Sequence, residues 1–109
     1  MDFNLVVLSG RLAAPPELRV FESGLRLVRY LITVRTDEPR RRVDVLPVTR
    51  WEPPDDDLVP EPEVGQQLSV AGSVQRRFWS NPGGRRSRLE VVAEHVALRP
   101  LIWEVDEAS

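Results

Sequence analysis

Residues 68–92, LSVAGSVQRRFWSNPGGRRSRLEVV, hold two alternating segments on either side of a turn cluster. Leu68, Val70 and Val74 alternate with Ser69, Ala71 and Gln75, and Leu89 and Val91 alternate with Arg88 and Glu90. A period of two marks half-buried strands, because successive side chains of a strand point to opposite faces. Between them Asn81-Pro82-Gly83-Gly84 supplies turn residues, so the stretch predicts a β-hairpin. Its charge exceeds what a core requires. Arg76, Arg77, Arg85, Arg86 and Arg88 flank Phe78 and Trp79, and no acid falls between Glu63 and Glu90. Guanidinium groups beside aromatic rings suit a flexible polyanion with stackable bases. A solvated hairpin with its rings packed inward would show the same pattern, with Phe78 as the inward ring, since neighbouring strand residues face opposite ways.

The segments before the hairpin extend the strand pattern. Residues 4–12, NLVVLSGRL, form a β-branched and leucine-rich strand with Gly10 near its end, where a glycine commonly serves a bulge or sharp bend. Residues 13–16 break it, residues 17–21 resume as a short strand, and Glu22-Ser23-Gly24 supplies a tight turn. Residues 25–35 make a long strand with Val28, Tyr30, Ile32 and Val34 on one face and Arg29, Leu31, Thr33 and Arg35 on the other, one face core and the other cationic. Residues 36–42, TDEPRRR, read as a loop that closes on Arg40, Arg41 and Arg42. In the strand at 43–51, Leu46 and Val48 point one way and Val45, Pro47, Thr49 and Trp51 the other. Pro47 lacks an N–H, so the strand is an edge or is irregularly paired there. Residues 52–63, EPPDDDLVPEPE, contain four prolines and predict an extended acidic loop, since each interior proline costs a helix about 3 kcal/mol. The last strand runs on to Leu98, and Pro100 stops it.

Composition sets the outer limits. A length of 109 residues with 41% hydrophobic content fits one domain with one modest core. With no cysteine and only His95, neither a disulfide nor a thiolate or histidine metal site can be assembled, and no metal or other cofactor is expected. No apolar run approaches bilayer length, and the N-terminus lacks a basic segment followed by a long apolar stretch, so the expectation is a cytoplasmic protein without membrane contact. The net charge is −2, but six of the 17 acids lie in residues 52–63, and the remainder carries fifteen positive charges against eleven negative ones, or +4. All fifteen are arginine, whose planar fork suits phosphates and ring stacking.

Five main strands, no helix of useful length and basic loops predict an all-β, five-stranded closed or partly open barrel, with the oligonucleotide-binding fold as first choice. That fold presents the face of its second and third strands to nucleic acid, and Arg29, Arg35, Thr49 and Trp51 fall there. The domain is expected to span residues 1–99, with a short acidic C-terminal tail at 100–109.

The ordered segments FNLVVLSGRLAAPPELRVFESG, RYLITVR, VDVLPVTRW, VGQQLSVAGSVQRRFW and GGRRSRLEVVAEHVAL resemble, in sequence and spacing, the bacterial single-stranded DNA-binding protein family over roughly residues 3–99. The resemblance implies an oligonucleotide-binding fold, assembly as a homodimer or homotetramer, and sequence-independent binding of single-stranded DNA in replication, repair or recombination, near the nucleoid. Whether RNA is also bound stays open. By position, Trp79 matches the aromatic residue that stacks on a base at the end of the fourth family strand, and Trp51 the one ending the third. Arg77 and Arg11 match polar or basic positions that contact the strand. Arg76, Arg41, Arg42, Arg85, Arg86 and Arg88 are further phosphate candidates by charge. Val45 stands where the family commonly has a stacking aromatic, residues 36–42 lack a ring where another often lies, and the proline-rich loop replaces a helix. The long acidic-tipped tail that recruits replication and repair partners is missing, which argues against such recruitment. In size the chain is similar to short tail-less relatives such as primosomal replication protein N.

Other readings compete. An enzyme is disfavoured, because no serine, histidine and acid set has a triad signature, no glycine-rich phosphate loop follows a strand, and His95 reads as a strand-face residue. A protein-interaction barrel without nucleic-acid affinity is the alternative, favoured by the lost stacking positions and the acidic loop.

Overall fold

Alternation of apolar and polar side chains carries six strands in the computed structural model, which describes residues 1–99. They are β1 (Val6–Leu12), β2 (Glu17–Val20), β3 (Arg26–Thr36), β4 (Arg42–Trp51), β5 (Gln67–Asn81) and β6 (Gly84–Leu98). The acidic tail expected at 100–109 lies outside the described residues. The hydrogen-bonded order is β1-β5-β6-β4-β3-β2, and a further β1–β3 pairing closes five of the strands into a barrel. β2 folds back on β3 beside that barrel, pairing Glu17–Val20 with Arg29–Arg26, so β2 and β1 share one edge of β3. No helix among the described residues is long and apolar enough to cross a membrane.

The core is made of alternate strand positions. Leu12, Val28, Tyr30, Ile32, Val48, Leu68, Val70 and Ala93 form one buried cluster, with Leu8, Val34, Leu58, Val91, Val96 and Leu98 packed against it. Full burial of such a side chain is worth about 1.5–3 kcal/mol, and a one-residue slip of β3 would turn its core set to solvent, so the pattern also fixes the register. The expected β3 faces are observed, with Val28, Tyr30 and Ile32 buried and Leu31 and Arg35 exposed. Pro47 sits opposite Leu31 of β3. On its other side β4 meets β6 only at Val48 and Thr49, so Pro47 falls just outside that short parallel ladder, as its missing N–H requires.

Gly10 does not mark a bulge. β1 pairs with β5 in unbroken register from Val6 to Arg11, and the irregularity lies instead between Ala71 and Gly72. Gly10 is where β1 crosses β3: a Cβ there would collide with the Thr33 carbonyl and lie 2.8 Å from Ile32 Cγ2. Barrel closure is the reason for this glycine.

Residues 52–63 form no regular helix, as the prolines predict, but the loop is held down rather than freely extended. A single 3-10 turn covers Asp55–Asp57, Pro53 and Pro62 are buried, and Leu58 packs on the core. Arg26 bonds Asp55 Oδ1 at 2.8 Å and the Pro53 carbonyl at 3.0 Å, and Arg50 bonds Asp57. Under the loop, Tyr30 is 1% exposed and its hydroxyl has no hydrogen-bond partner. Burial, reinforced by Asp57, holds its ionisation above the ordinary tyrosine value.

Candidate functional site

Residues opposite one another in antiparallel strands share a face, so the outer surface of β2–β3–β4 is laid out in rows. Arg19, Leu27 and Trp51 make one row, and Glu17, Arg29 and Thr49 the next. Leu31 with Pro47, Thr33 with Val45, and Arg35 with Val43 follow. The hairpin leans against this surface. Beyond Val74 and Val91 the β5–β6 arm leaves the core and turns one face, that of Arg77, Trp79, Arg88 and Glu90, toward β3 and β4. The contact is direct, since Thr49 Oγ1 donates to Glu90 Oε1 at 3.0 Å and the Arg77 guanidinium lies 6.0 Å from the centre of the Trp51 ring.

Between arm and sheet lies an open cleft of about 280 Å³ lined by Arg19, Arg29, Arg77, Trp79 and Arg88. Arg88 lies 5.9 Å over the Trp79 ring, which is 41% exposed. Four guanidiniums around one accessible indole offer phosphate forks and a stacking surface in the same space. Glu90 borders this group with its side chain 9% exposed, and its Oε2 is 3.9 Å from Arg77 Nη1, too far for a hydrogen bond. Arg77 Nη1 is buried without a partner. The cation is thus electrostatically balanced but incompletely hydrogen-bonded.

A ring pair adjoins the cleft. Phe21 and Trp51 stack with centroids 5.9 Å apart and planes 22° apart, and Arg19 lies 5.3 Å from the Phe21 centroid. The chain turns sharply after Trp51, because Glu52 adopts φ of 50° and is held by two hydrogen bonds. Arg26 N–H donates to Glu52 Oε1 at 2.7 Å, and Glu52 N–H to the Arg26 carbonyl at 2.8 Å. That turn fixes where the indole points. Leu27, opposite Trp51 in register, is buried on this same outer side.

The expected site residues divide among several places. Trp51, Trp79, Arg29, Arg77 and Arg88 come together at the cleft and ring pair. Arg86 sits opposite Trp79 on the same face of the arm. Arg76 and Arg85 are on the opposite face, where Arg76 bonds Ser87 Oγ at 3.1 Å and Arg85 lies 4.9 Å over the Phe78 ring. Arg11 and Arg35 share a separate concavity of about 180 Å³ with Ser9, Thr33 and Gln67, and Arg11 donates to the Gly65 carbonyl at 3.1 Å. Arg40, Arg41 and Arg42 line a third concavity in the β3–β4 loop, where Arg42 pairs with Asp44 at 3.0 Å.

Some expectations require correction. Thr49 is 2% exposed and its hydroxyl is committed to Glu90, so it supports the site from below instead of facing a ligand. Phe78 is not an inward ring, for at 54% it is more exposed than Trp79. The alternation that placed Leu89 inside and Glu90 outside is reversed, Leu89 being 59% exposed and the Glu90 side chain 9%. The reason is the same in each case: the arm extends past the barrel, so its covered side is the one that meets the sheet. Arg19, Phe21 and Glu90 escaped the sequence reading. The alternation Arg19-Val20-Phe21 on a short strand, and a lone acid amid hairpin arginines, were the signals available.

Comparison with known proteins agrees with this geometry. The profile of the Single-strand binding protein family matches residues 3–99. The single-stranded DNA-binding protein of Streptococcus pneumoniae serotype 4 is 30% identical over 97 residues, covering 84% of this chain and 62% of its own. That of Treponema pallidum is 28% identical over 102 residues, covering 89% and 58%. The chain thus spans about three fifths of the length of these curated relatives. Among solved structures, the Plasmodium falciparum SSB in complex with ssDNA superposes with a TM-score of 0.75 at 15% identity, covering 92% of this chain and 97% of that one. A deletion mutant of the single-stranded DNA binding protein from Thermus aquaticus gives 0.75 at 23% identity, covering 91% and 51%. These likenesses establish the oligonucleotide-binding fold.

Proposed function

The chain belongs to the Single-strand binding protein family, and from that premise we propose that residues 1–99 bind single-stranded DNA without regard to base sequence, serving replication, repair or recombination. One observation carries the reading: four arginines converge on one exposed tryptophan in an open cleft beside a second, stacked indole. Guanidiniums engage phosphates whatever the base, and every base has a face to stack, so the combination selects for a flexible single strand. A duplex hides its bases' faces and could use the arginines alone. The outer row of β3 links the cleft at Arg29 to the concavity at Arg35, six residues along the strand, or about 20 Å. That spacing supports a strand path running from the arm across the sheet toward Arg40–Arg42. A binding role, a cytoplasmic, nucleoid-associated location and the absence of catalysis follow from the same reading. Whether RNA competes is decided by repeating the titration below with oligouridine. Quenching of tryptophan fluorescence on titration with oligothymidine is the expected result, and a flat titration would remove the reading in favour of a protein-interaction module.

Self-association forms part of the proposal. From Val6 to Gly10, β1 is paired on its β5 side, while its pairing with β3 begins only at Arg11. Leu5 is 73% and Val7 69% exposed on this open edge, and an edge with apolar side chains favours pairing with its symmetry mate. Sedimentation at micromolar concentration should give a dimer or tetramer, and a monomer would refute it.

A further inference from the structure

Phe21 lies outside the barrel core and is held rigidly at the β2–β3 turn. Its N–H donates to the Leu25 carbonyl at 2.8 Å, and Gly24 N–H donates to the Phe21 carbonyl at 2.9 Å, in a turn whose Gly24 has φ of 92°. Its ring stacks on Trp51 at 5.9 Å, Arg19 lies 5.3 Å from it, and Arg77 lies 6.0 Å from the Trp51 ring. Each ring of the pair therefore has a guanidinium against it. A guanidinium is a flat, weakly hydrated cation, and it occupies a π-face in the way a base does. Once displaced by a base, it has a phosphate to move to, with bidentate geometry available.

From this we infer that Phe21 and Trp51 form one two-ring stacking platform for nucleobases. Arg19 and Arg77 hold the base positions in the free protein and shift to phosphate oxygens when the strand arrives. The inference rests on the single-strand reading and adds to it a base contact at the β2–β3 turn, in a chain whose Val45, 54% exposed, offers no second ring along β4. The incomplete hydrogen bonding of Arg77 fits a side chain placed to move.

The test uses the full chain with an oligothymidine carrying 5-iododeoxyuridine. Irradiation followed by peptide mapping should give cross-links at Phe21 as well as at Trp51 and Trp79. Phe21→Leu keeps an apolar side chain at the turn, so an unchanged circular dichroism spectrum and melting curve would separate loss of stacking from loss of folding. Its affinity should fall about 5- to 30-fold, and Phe21→Tyr should retain it. The Phe21→Leu, Trp51→Leu double variant should bind several-fold more weakly than Trp51→Leu alone. If Phe21 merely props Trp51, the double variant will equal the single one and no cross-link will form at Phe21, which overturns the platform while cross-links at Trp79 preserve the binding reading. No binding or cross-link in the unaltered protein would overturn both.

Discussion

Arg50, on the core side of β4 opposite Val28, and Arg77, on the arm facing the outer surface of the sheet, each meet one acid, and they differ in how fully they are satisfied. Arg50 makes a direct hydrogen bond to Asp57, with side chains 11% and 21% exposed, and this contact pins the acidic loop over the barrel. Arg77 stands 3.9 Å from Glu90, is 40% exposed, and leaves one buried nitrogen without a partner. The first arginine is completed by the fold. The second has a donor that the fold leaves unfilled, and it sits among three more arginines and an exposed indole. Residue type and net charge do not distinguish these two arginines; their hydrogen-bond partners do.

The sharpest way to break this contrast is to reverse the charge of the incomplete arginine. Arg77→Glu should weaken oligothymidine binding on the order of 10- to 100-fold at low salt, because a phosphate fork is replaced by repulsion. A variant that bound as the parent would end the nucleic-acid reading. Trp79→Ala should cost about 1–3 kcal/mol of binding while leaving folding stability within about 0.5 kcal/mol, since the ring is 41% exposed. Unfolding of that variant would assign the ring to the core. If roughly four or five arginines neutralise phosphates, the logarithm of affinity should fall with the logarithm of salt at a slope of about −3.

The completed side should behave in the opposite manner. Asp57→Ala leaves Arg50 largely covered and unpaired and should lower stability by about 1–3 kcal/mol in urea, with the affinity for oligothymidine unchanged. A loss of binding at full occupancy of the fold would place the loop in the strand path. Asp56 makes none of the ion pairs that hold the loop. Asp56→Asn should change affinity by less than about two-fold at low salt, as a charge outside the groove and screened by solvent would. A larger gain would show that the acidic loop opposes the incoming strand.

Much of the fold was legible in the chain. Strict alternation in Val28-Arg29-Tyr30-Leu31-Ile32 determines which face of β3 is core, because a strand side chain has only two directions in which to point. The turn residues Asn81-Pro82-Gly83-Gly84 determine the hairpin, with Asn81 Oδ1 accepting from Gly83 N–H at 2.9 Å and Gly84 at φ of 114°. Proline content ruled out a helix in the acidic loop, and the ordered segments identified the family. Trp51, Trp79 and Arg77 were legible as candidates by type and position.

Only tertiary structure decided what those side chains do. Alternation gives two faces but not which of them a neighbouring element will cover, so the Glu90 side chain is largely covered and Leu89 exposed where the arm folds onto the sheet. Gly10 owes its place to a carbonyl 23 residues away, at Thr33, and no local signal reveals such a crossing. Phe21 meets Trp51 across β2, β3 and β4, and Asp57 finds Arg50 by a turn of the loop. Periodicity is a property of neighbours along the chain, whereas the pairing of a cation with an acid, a ring or an awaited phosphate depends on distances that closure of the barrel sets.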